Sequence, residues 1–161
     1  MPTLVKLGDF PKVSIQVQME NGSIQSAHLS LDSAFTTNAA LPSLIDWLLA
    51  YAKGNSPLFP FEDANLTPFQ MAVLEAMQKI PFGQTLSYGE LAKQIGSPFA
   101  SRAIGGVCKR NPFPLFIPCH RVIAGDGSIG GFSSGIEIKR RLLEFEGKRF
   151  DLPSKSESMV L

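Results

Sequence analysis

Residues 87–109 read SYGELAKQIGSPFASRAIGGVCK and predict two helices joined by a tight turn. Ser87 and Glu90 have the spacing of a capping box, so the first helix begins there, and a following glycine ends it. We expect Ser97-Pro98 to start the second helix, which then runs through Phe99 towards the end of the stretch. This order is typical of a helix-turn-helix, although a pair of core helices has the same spacing.

The second of these helices has two features that favour nucleic acid over a core hairpin. Three basic side chains lie on it or at its end, namely Arg102, Lys109 and Arg110. It also contains Gly105-Gly106, and paired glycines weaken a helix unless something compensates, such as the close approach of another backbone. We therefore interpret it as a candidate recognition helix.

The net charge of the chain is +1, but the charge is unevenly distributed. Residues 1–66 sum to −3, residues 67–150 to +5 and residues 151–161 to −1. A basic half joined to an acidic half predicts a polyanionic partner on one side only, and random scatter of surface charge is the alternative.

The composition excludes several classes of protein. A chain of 161 residues with 44% hydrophobic and 18% charged residues is not a disordered protein. No apolar run approaches the ~20 residues of a membrane span, and the N-terminus lacks the pattern of a signal peptide, so we expect a cytoplasmic protein without a membrane partner. Two cysteines are too few for a disulfide framework. The four Cys and His residues lack the spacing of metal ligands, so we expect no metal site.

Residues 1–66 predict a small α+β domain. Alternating apolar residues at 13–19 precede Asn21-Gly22, which is the signal of a hairpin turn, and a helix is expected from Ser43 to Lys53. Residues 54–66 lack periodicity and resemble a linker that packs down, so we place the domain boundary there.

Residues 67–150 predict a mainly helical second domain. A capping box at Thr67 starts one helix, and a further capping box of Ser134 and Glu137 starts the last helix. Three consecutive basic residues of the last helix are expected on faces away from its apolar stripe: Lys139, Arg140 and Arg141. Residues 151–161 are expected to form a disordered tail.

The segment Ile117-Pro118-Cys119-His120-Arg121-Val122 carries the chemical signal. A cysteine nucleophile reacts as the thiolate, and a neighbouring base or cation lowers its pKa; here both follow at once. Adjacent side chains on an extended chain point to opposite sides, so an interaction of Cys119 with His120 requires a water or a bend. The alternative is a buried, inert cysteine beside a surface histidine.

Further motifs accompany this segment in a fixed order between about Thr67 and Lys148. They are Ser87-Tyr88, Glu90-Leu91-Ala92, Ser101 to Gly106, Asn111-Pro112, Leu142-Leu143 and Glu144 to Gly147. In this half of the chain the sequence resembles the O6-alkylguanine-DNA alkyltransferases, which repair alkylated DNA by moving the alkyl group onto their own cysteine. The resemblance implies an α+β protein, with a hairpin-plus-helix first domain and a winged-helix-like second domain.

The resemblance also implies a catalytic role for four residues. Cys119 would accept the alkyl group, and His120 would act through a water as the base for the thiol. Glu146 would orient the histidine. Tyr88 would hydrogen-bond the guanine and supply a proton as the base leaves.

Other matching residues are implied in binding DNA and the extruded base. Arg102 would fill the space that the flipped base leaves. The other implied DNA contacts are Ser87, Ala103, Gly105 and Arg121. The implied base pocket comprises Asn111, Val122, Phe132, Ser133 and Ser134. Family members often carry Tyr at the position of Phe132 and Gly at that of Ser134, so we expect Ser134 to narrow the pocket.

These inferences together predict a single-turnover DNA repair protein of the methyltransferase type. It would move a methyl or small alkyl group irreversibly from O6 of guanine to Cys119, with O4 of thymine as a further candidate. The expected partner is double-stranded DNA containing O6-alkylguanine, bound by a monomer that needs no cofactor. Two alternatives remain at this point: a non-catalytic damage sensor of the same fold and a cysteine hydrolase.

Overall fold

The computed structural model describes residues 3–61 and 65–149, which form an α+β fold. The strands are β1 (Val5–Gly8), β2 (Val13–Glu20), β3 (Ser23–Leu31), β4 (Phe35–Thr37), β5 (Leu86–Ser87) and β6 (Val122–Ile123). The helices are α1 (Pro42–Ala52), α2 (Pro68–Gln78), α3 (Tyr88–Gln94), α4 (Ser101–Lys109) and α5 (Ile136–Phe145), with a 3₁₀ turn at Cys119–Arg121.

The predicted N-terminal hairpin and helix are confirmed. β2 and β3 pair antiparallel, and the turn residues Asn21 and Gly22 have φ angles of 51° and 78°, as a tight hairpin turn requires. The four-stranded sheet has the order β1-β4-β2-β3, in which β2 and β4 are parallel. Its buried side chains face the same hydrophobic core as those of α1.

A single hydrophobic core joins the parts of the chain before and after residue 66. Phe116 packs against Trp47 of α1 and against Phe59, with ring centroids 4.8 and 4.7 Å apart. The Trp47 indole also donates a hydrogen bond of 2.8 Å to the carbonyl of Pro57. The segment after α1 therefore packs onto the core, as the aromatic residues in it predicted.

The helix-turn-helix is present, but its second helix begins later than predicted. The Ser87–Glu90 capping box of α3 is confirmed, with both reciprocal hydrogen bonds formed. α4 begins at Ser101 rather than at Ser97-Pro98. The amide of Ala100 donates to the carbonyl of Ser97 at 2.9 Å, so residues 97–100 form a turn with proline at its second position, where a fixed φ is favoured. Phe99 lies in this turn instead of in the helix.

The last helix also departs from the prediction. α5 is preceded by Gly135 at a φ of 111°, and no side chain caps its N-terminus. The Glu137 carboxylate is bound by Arg140 and Arg141, so the predicted capping box of Ser134 and Glu137 is wrong. The ion pairs take the glutamate away from the backbone amides.

Two short strands place the motifs of the second half next to each other. β5 and β6 pair in parallel, with Leu86 opposite Val122 and Ser87 opposite Ile123. The first residue of α3, Tyr88, therefore lies beside the segment that contains Cys119.

Within the described ranges, none of the helices is long and apolar enough to cross a membrane. The predicted tail, 151–161, lies outside the residues that the structure describes.

Candidate active site

The backbone bends twice at the cysteine. The amide of Cys119 donates to the carbonyl of Ile117 at 2.8 Å, and Pro118 between them has φ −80° and ψ 65°, the geometry of an inverse γ-turn. The 3₁₀ turn of Cys119–Arg121 follows directly. Because of this bend the side chains of both Cys119 and His120 lie in the interior, which an extended chain would not allow.

Asn111 supports the bend from the end of α4. Its side-chain amide donates 2.9 Å to the carbonyl of Ile117, and its side-chain oxygen accepts from the amide of Phe113 at 3.0 Å. Between these points Leu115 is fully buried at a φ of 77°, a conformation that a branched residue adopts only where its surroundings hold it. The loop before the cysteine is thus held by side-chain hydrogen bonds and by packing.

His120 is paired with Glu146, which lies at the C-terminal end of α5. The Nε2 atom of His120 lies 2.6 Å from the Oε2 atom of Glu146, and both side chains are inaccessible to solvent. Burial would raise the pKa of Glu146, but His120 and Arg121 lower it to about 2, so the group is a carboxylate at neutral pH. Burial lowers the pKa of His120, and the glutamate only partly offsets this.

The protonation of this pair determines which nitrogen of the histidine can act as a base. A carboxylate can only accept a hydrogen bond, so the Nε2 atom of His120 carries the proton that lies between the two groups. A neutral imidazole then has its lone pair at Nδ1. This atom is buried and has no hydrogen-bond partner among the described residues. The histidine is thus held as the tautomer with Nδ1 as the basic nitrogen.

Two residues besides His120 hold the Glu146 carboxylate. The hydroxyl of Tyr51 in α1 donates to Oε2 at 2.6 Å, and the Nε atom of Arg121 donates to Oε1 at 2.7 Å. Arg121 also donates to the carbonyl of Ile80 at 2.8 Å. Tyr51 was not predicted as a site residue, because its place on the apolar face of α1 shows only that it is buried.

The predicted DNA contact of Arg121 is contradicted by its position. Its side chain is fully buried, and its guanidinium is bound to Glu146, Ser56 and Ile80. Arg121 is therefore an internal counterion of the glutamate.

Cys119 opens onto a cavity of about 290 Å³. The cavity is lined by Tyr88, Gly105, Cys108, Lys109, Cys119, Gly131, Phe132 and Ser133. Of the five predicted pocket residues, Phe132 and Ser133 line it, whereas Asn111, Val122 and Ser134 do not. A larger cavity, of about 600 Å³, lies between the hairpin, α1 and the segment around Phe59, and has no cysteine or histidine in its lining.

Lys139 is buried behind this cavity and not on an outer face of α5, so the prediction for this residue is wrong. Its Nζ atom donates to the carbonyl of Val122 at 2.7 Å and to that of Gly131 at 3.0 Å. One carbonyl lies three residues after Cys119, and the other belongs to Gly131, which lines the cavity. Lys139 thus joins the segment after Cys119 to the loop that contains Gly131. Lys139 and Glu146 are seven residues apart in the sequence, which is about two helical turns. This spacing is the sequence signal that both lie on the inner face of α5.

Burial shifts the pKa values of the ionisable groups that line this cavity or lie behind it. Burial raises the pKa of Cys119, and the hydrogen bond from Asn111 and the charge of Lys139 lower it in part. Burial lowers the pKa of Lys139 to about 8. Burial likewise raises the pKa of Tyr88, so its hydroxyl stays protonated and able to donate. The pKa of Cys108 is raised to about 12, chiefly by burial, which leaves this second cysteine a thiol.

Three of the remaining predicted DNA contacts, Arg102, Ala103 and Gly105, lie on α4, and the fourth, Ser87, caps α3. Arg102 and Ala103 are exposed, and Gly105 lines the cavity next to Tyr88. Ser87 uses its hydroxyl in the capping box of α3. A Cβ atom on Gly105 would lie 4.0 Å from the Tyr88 ring, and one on Gly106 would lie 3.3 Å from the Arg110 guanidinium. Apart from the helix's own backbone, no main-chain atom of the described residues lies within 4 Å of either added Cβ atom. The close approach of another backbone to this pair therefore stays a prediction.

Residues 68–148 match the family described as 6-O-methylguanine DNA methyltransferase, DNA binding domain. The chain is 46% identical over 104 residues to the methylated-DNA–protein-cysteine methyltransferase of Methanosarcina acetivorans, a match that covers 62% of this chain and 65% of the relative. It is 45% identical over 111 residues to the protein of that name from Mycobacterium tuberculosis, covering 68% of this chain and 67% of the relative. The matches thus span about two thirds of these relatives.

Solved structures resemble the fold over more than four fifths of this chain. The crystal structure of Mycobacterium tuberculosis OGT in complex with DNA is similar with a TM-score of 0.64 and 34% identity, over 83% of this chain and 93% of that one. The O6-methylguanine-DNA methyltransferase of Pyrococcus kodakaraensis also has a TM-score of 0.64, with 29% identity, over 84% of this chain and 99% of that one.

Proposed function

The chain belongs to the O6-methylguanine DNA methyltransferase family, and from this premise we propose that Cys119 receives the alkyl group. It would take a methyl or small alkyl group from O6 of guanine in double-stranded DNA, in a direct and irreversible repair reaction. The observation that carries the proposal is the buried pair of His120 and Glu146 next to Cys119, the cysteine that a histidine directly follows.

The tautomer of His120 supports its role in activating the thiol. The proton of Cys119 would pass through a water to the Nδ1 atom of His120, and the Glu146 carboxylate would stabilise the imidazolium that forms. Arg121 helps to keep this carboxylate ionised, and the hydrogen bond from Tyr51 holds it in place. The resulting thiolate then attacks the alkyl carbon.

The transfer itself forms one bond and breaks one bond. A carbon–sulfur bond forms at Cys119 while the bond from the alkyl carbon to O6 breaks, and its electron pair leaves with the guanine. Tyr88 would supply a proton to the departing base, which otherwise leaves as an anion. A tyrosine hydroxyl is protonated at neutral pH, and burial raises the pKa of Tyr88 further. Tyr88 also lines the same cavity as the thiol.

The substrate base must leave the DNA stack to reach this cavity, because O6 lies on the paired edge of guanine. We propose that α4 lies against the DNA and that Arg102 fills the gap that the extruded base leaves. Ala103 is exposed on the same helix and Gly105 lines the cavity, so this surface would face the minor groove. All these residues come from one chain, so the proposed site is complete in a monomer.

The test is the intact mass of the protein after incubation with DNA that contains O6-methylguanine. We expect the wild type to gain one methyl group in place of a hydrogen, stably, and Cys119→Ala to gain nothing. Cys108→Ala is the matched control, because it removes the other cysteine of the same cavity and is expected to remain competent. Binding without a mass change would show a damage sensor, and turnover without an adduct would show a hydrolase.

A further inference from the structure

Phe99 is a fully exposed aromatic ring. Its relative exposure is 100%, whereas that of Leu58, another strongly exposed large apolar residue, is 74%. Isolated apolar side chains are common on protein surfaces, so exposure alone indicates no partner. What distinguishes Phe99 is the place of the ring in the fold.

Phe99 lies in the turn of residues 97–100, directly before α4. Arg102, Gly105 and Lys109 have spacings that place them on one face of this helix. Gly105 and Lys109 line the cavity of Cys119, so Arg102 lies on the cavity side, about one turn closer to the start of the helix. A line of surface residues thus leads from the cavity past Arg102 to the turn with Phe99.

The charge around the turn favours a polyanion as the occupant. From residue 91 to residue 125 the chain contains no acidic residue. Four basic residues of this stretch are exposed, namely Lys93, Arg102, Lys109 and Arg110. An apolar ring within a basic surface matches a DNA groove, where phosphates lie beside the apolar faces of sugars and bases.

We propose that Phe99 is a DNA contact of this protein, and that its ring packs against a sugar or base next to the position that Arg102 fills. The inference rests on the proposed function, in which α4 lies on the minor groove. Apolar side chains of minor-groove proteins commonly press against or between base steps. Phe99 would therefore add a DNA contact whose strength does not depend on salt concentration. The contacts of the neighbouring basic residues with phosphates do depend on it.

The experiment compares Phe99→Ala with the wild type and with Leu58→Ala as a matched control. Leu58 is also strongly exposed but lies in the first half of the chain, at the rim of the larger cavity. Each protein carries Cys119→Ala in addition, so that the duplex is not consumed, and its dissociation constant for DNA with O6-methylguanine is measured over a range of salt concentrations. Thermal unfolding of each variant verifies that it is folded.

We expect Phe99→Ala to bind about tenfold more weakly, which is about 1.4 kcal/mol at 25 °C. The slope of log K against log salt should remain unchanged, because the ring releases no counterion. Leu58→Ala should bind like the wild type. A second variant, Phe99→Trp, should retain the affinity, and its added tryptophan emission should be quenched by DNA. The native Trp47 is buried, and the emission of the protein without the added tryptophan is subtracted as the baseline.

Three results would overturn the inference: unchanged affinity of Phe99→Ala, a salt slope altered by about one unit, or unquenched emission of Phe99→Trp in the complex. Methyl transfer by the wild type, with Cys119 intact, is measured in parallel on the same duplex. If the wild type transfers the methyl group and Phe99→Ala binds with unchanged affinity, only the proposed DNA contact of Phe99 is refuted. If DNA is neither bound nor demethylated, the proposed function is refuted as well.

Discussion

The two tyrosines of the chain are expected to respond in opposite ways to the same substitution. Tyr51 is fully buried and donates a 2.6 Å hydrogen bond to the Glu146 carboxylate. Tyr88 is half-buried and lines the cavity of Cys119. Replacing either with phenylalanine removes one hydroxyl oxygen and keeps the ring, so packing is conserved in both variants.

Tyr51→Phe is expected to lower the free energy of unfolding by about 2 kcal/mol, because a hydrogen bond to a charged group contributes roughly 1.5–3 kcal/mol. For a chain of this length that corresponds to a decrease in Tm of about 4–8 °C. The carboxylate keeps His120 and Arg121 as partners, so we expect methyl transfer to slow by less than about tenfold.

Tyr88→Phe is expected to change the free energy of unfolding by less than about 0.5 kcal/mol. Methyl transfer should slow by about a hundredfold or more, since it loses its proton donor. Urea unfolding gives the first quantity, and single-turnover transfer from O6-methylguanine DNA gives the second. Equal loss of stability in the two variants would refute the buried network around Glu146. If Tyr88→Phe transfers the methyl group at the wild-type rate, the proposed role of Tyr88 as the proton donor is refuted.

Three further predictions follow from the site. Lys139→Met should shift the pH profile of Cys119 alkylation by a small reagent to higher pH, because the Lys139 charge lowers the pKa of the thiol. The profile is measured in a Cys108→Ala background, and an unchanged profile would contradict this. Arg102→Ala should weaken binding to O6-methylguanine DNA and slow transfer from it, while transfer from a free O6-alkylguanine base stays near the wild-type rate; equal losses on both substrates would argue against insertion. The folded protein should lose stability as the pH falls below about 6.5, where unfolded His120 takes up a proton. The loss should continue from about 4.5 to about 2, where Glu146 becomes protonated. A free energy of unfolding that is constant from pH 7 to pH 4 would contradict the buried pair.

The sequence predicted those features that depend on neighbouring residues. The Asn21-Gly22 turn and the Ser87–Glu90 capping box were found where expected, because each requires only a few residues at fixed spacing. The start of α4 and the cap of α5 were predicted from the same kind of signal and were wrong. In each case a competing local interaction prevailed, a proline turn before α4 and the ion pairs of Glu137 in α5.

The prediction was weakest where a side chain finds its partner far along the chain. Lys139 is flanked by two arginines and was assigned to the surface, whereas carbonyls at positions 122 and 131 hold it inside. Arg121 was assigned to DNA but binds Glu146, 25 positions away. Since burying a charge is favourable only with partners in place, neither position could be inferred before those partners were located.

By itself the sequence determined the order of the chemical groups at the candidate site, with Cys119 as the proposed nucleophile, His120 as the proposed base and a basic helix before them. Only the tertiary structure decided how these groups are arranged. It bends the chain so that both side chains turn inward, and it brings Tyr51 to Glu146 across 95 positions. It also places the Glu146 carboxylate beside the Nε2 atom of His120, so that this nitrogen carries the proton. The physical reason is that burial and hydrogen bonding between distant segments set both pKa values and tautomers, and a linear sequence contains neither.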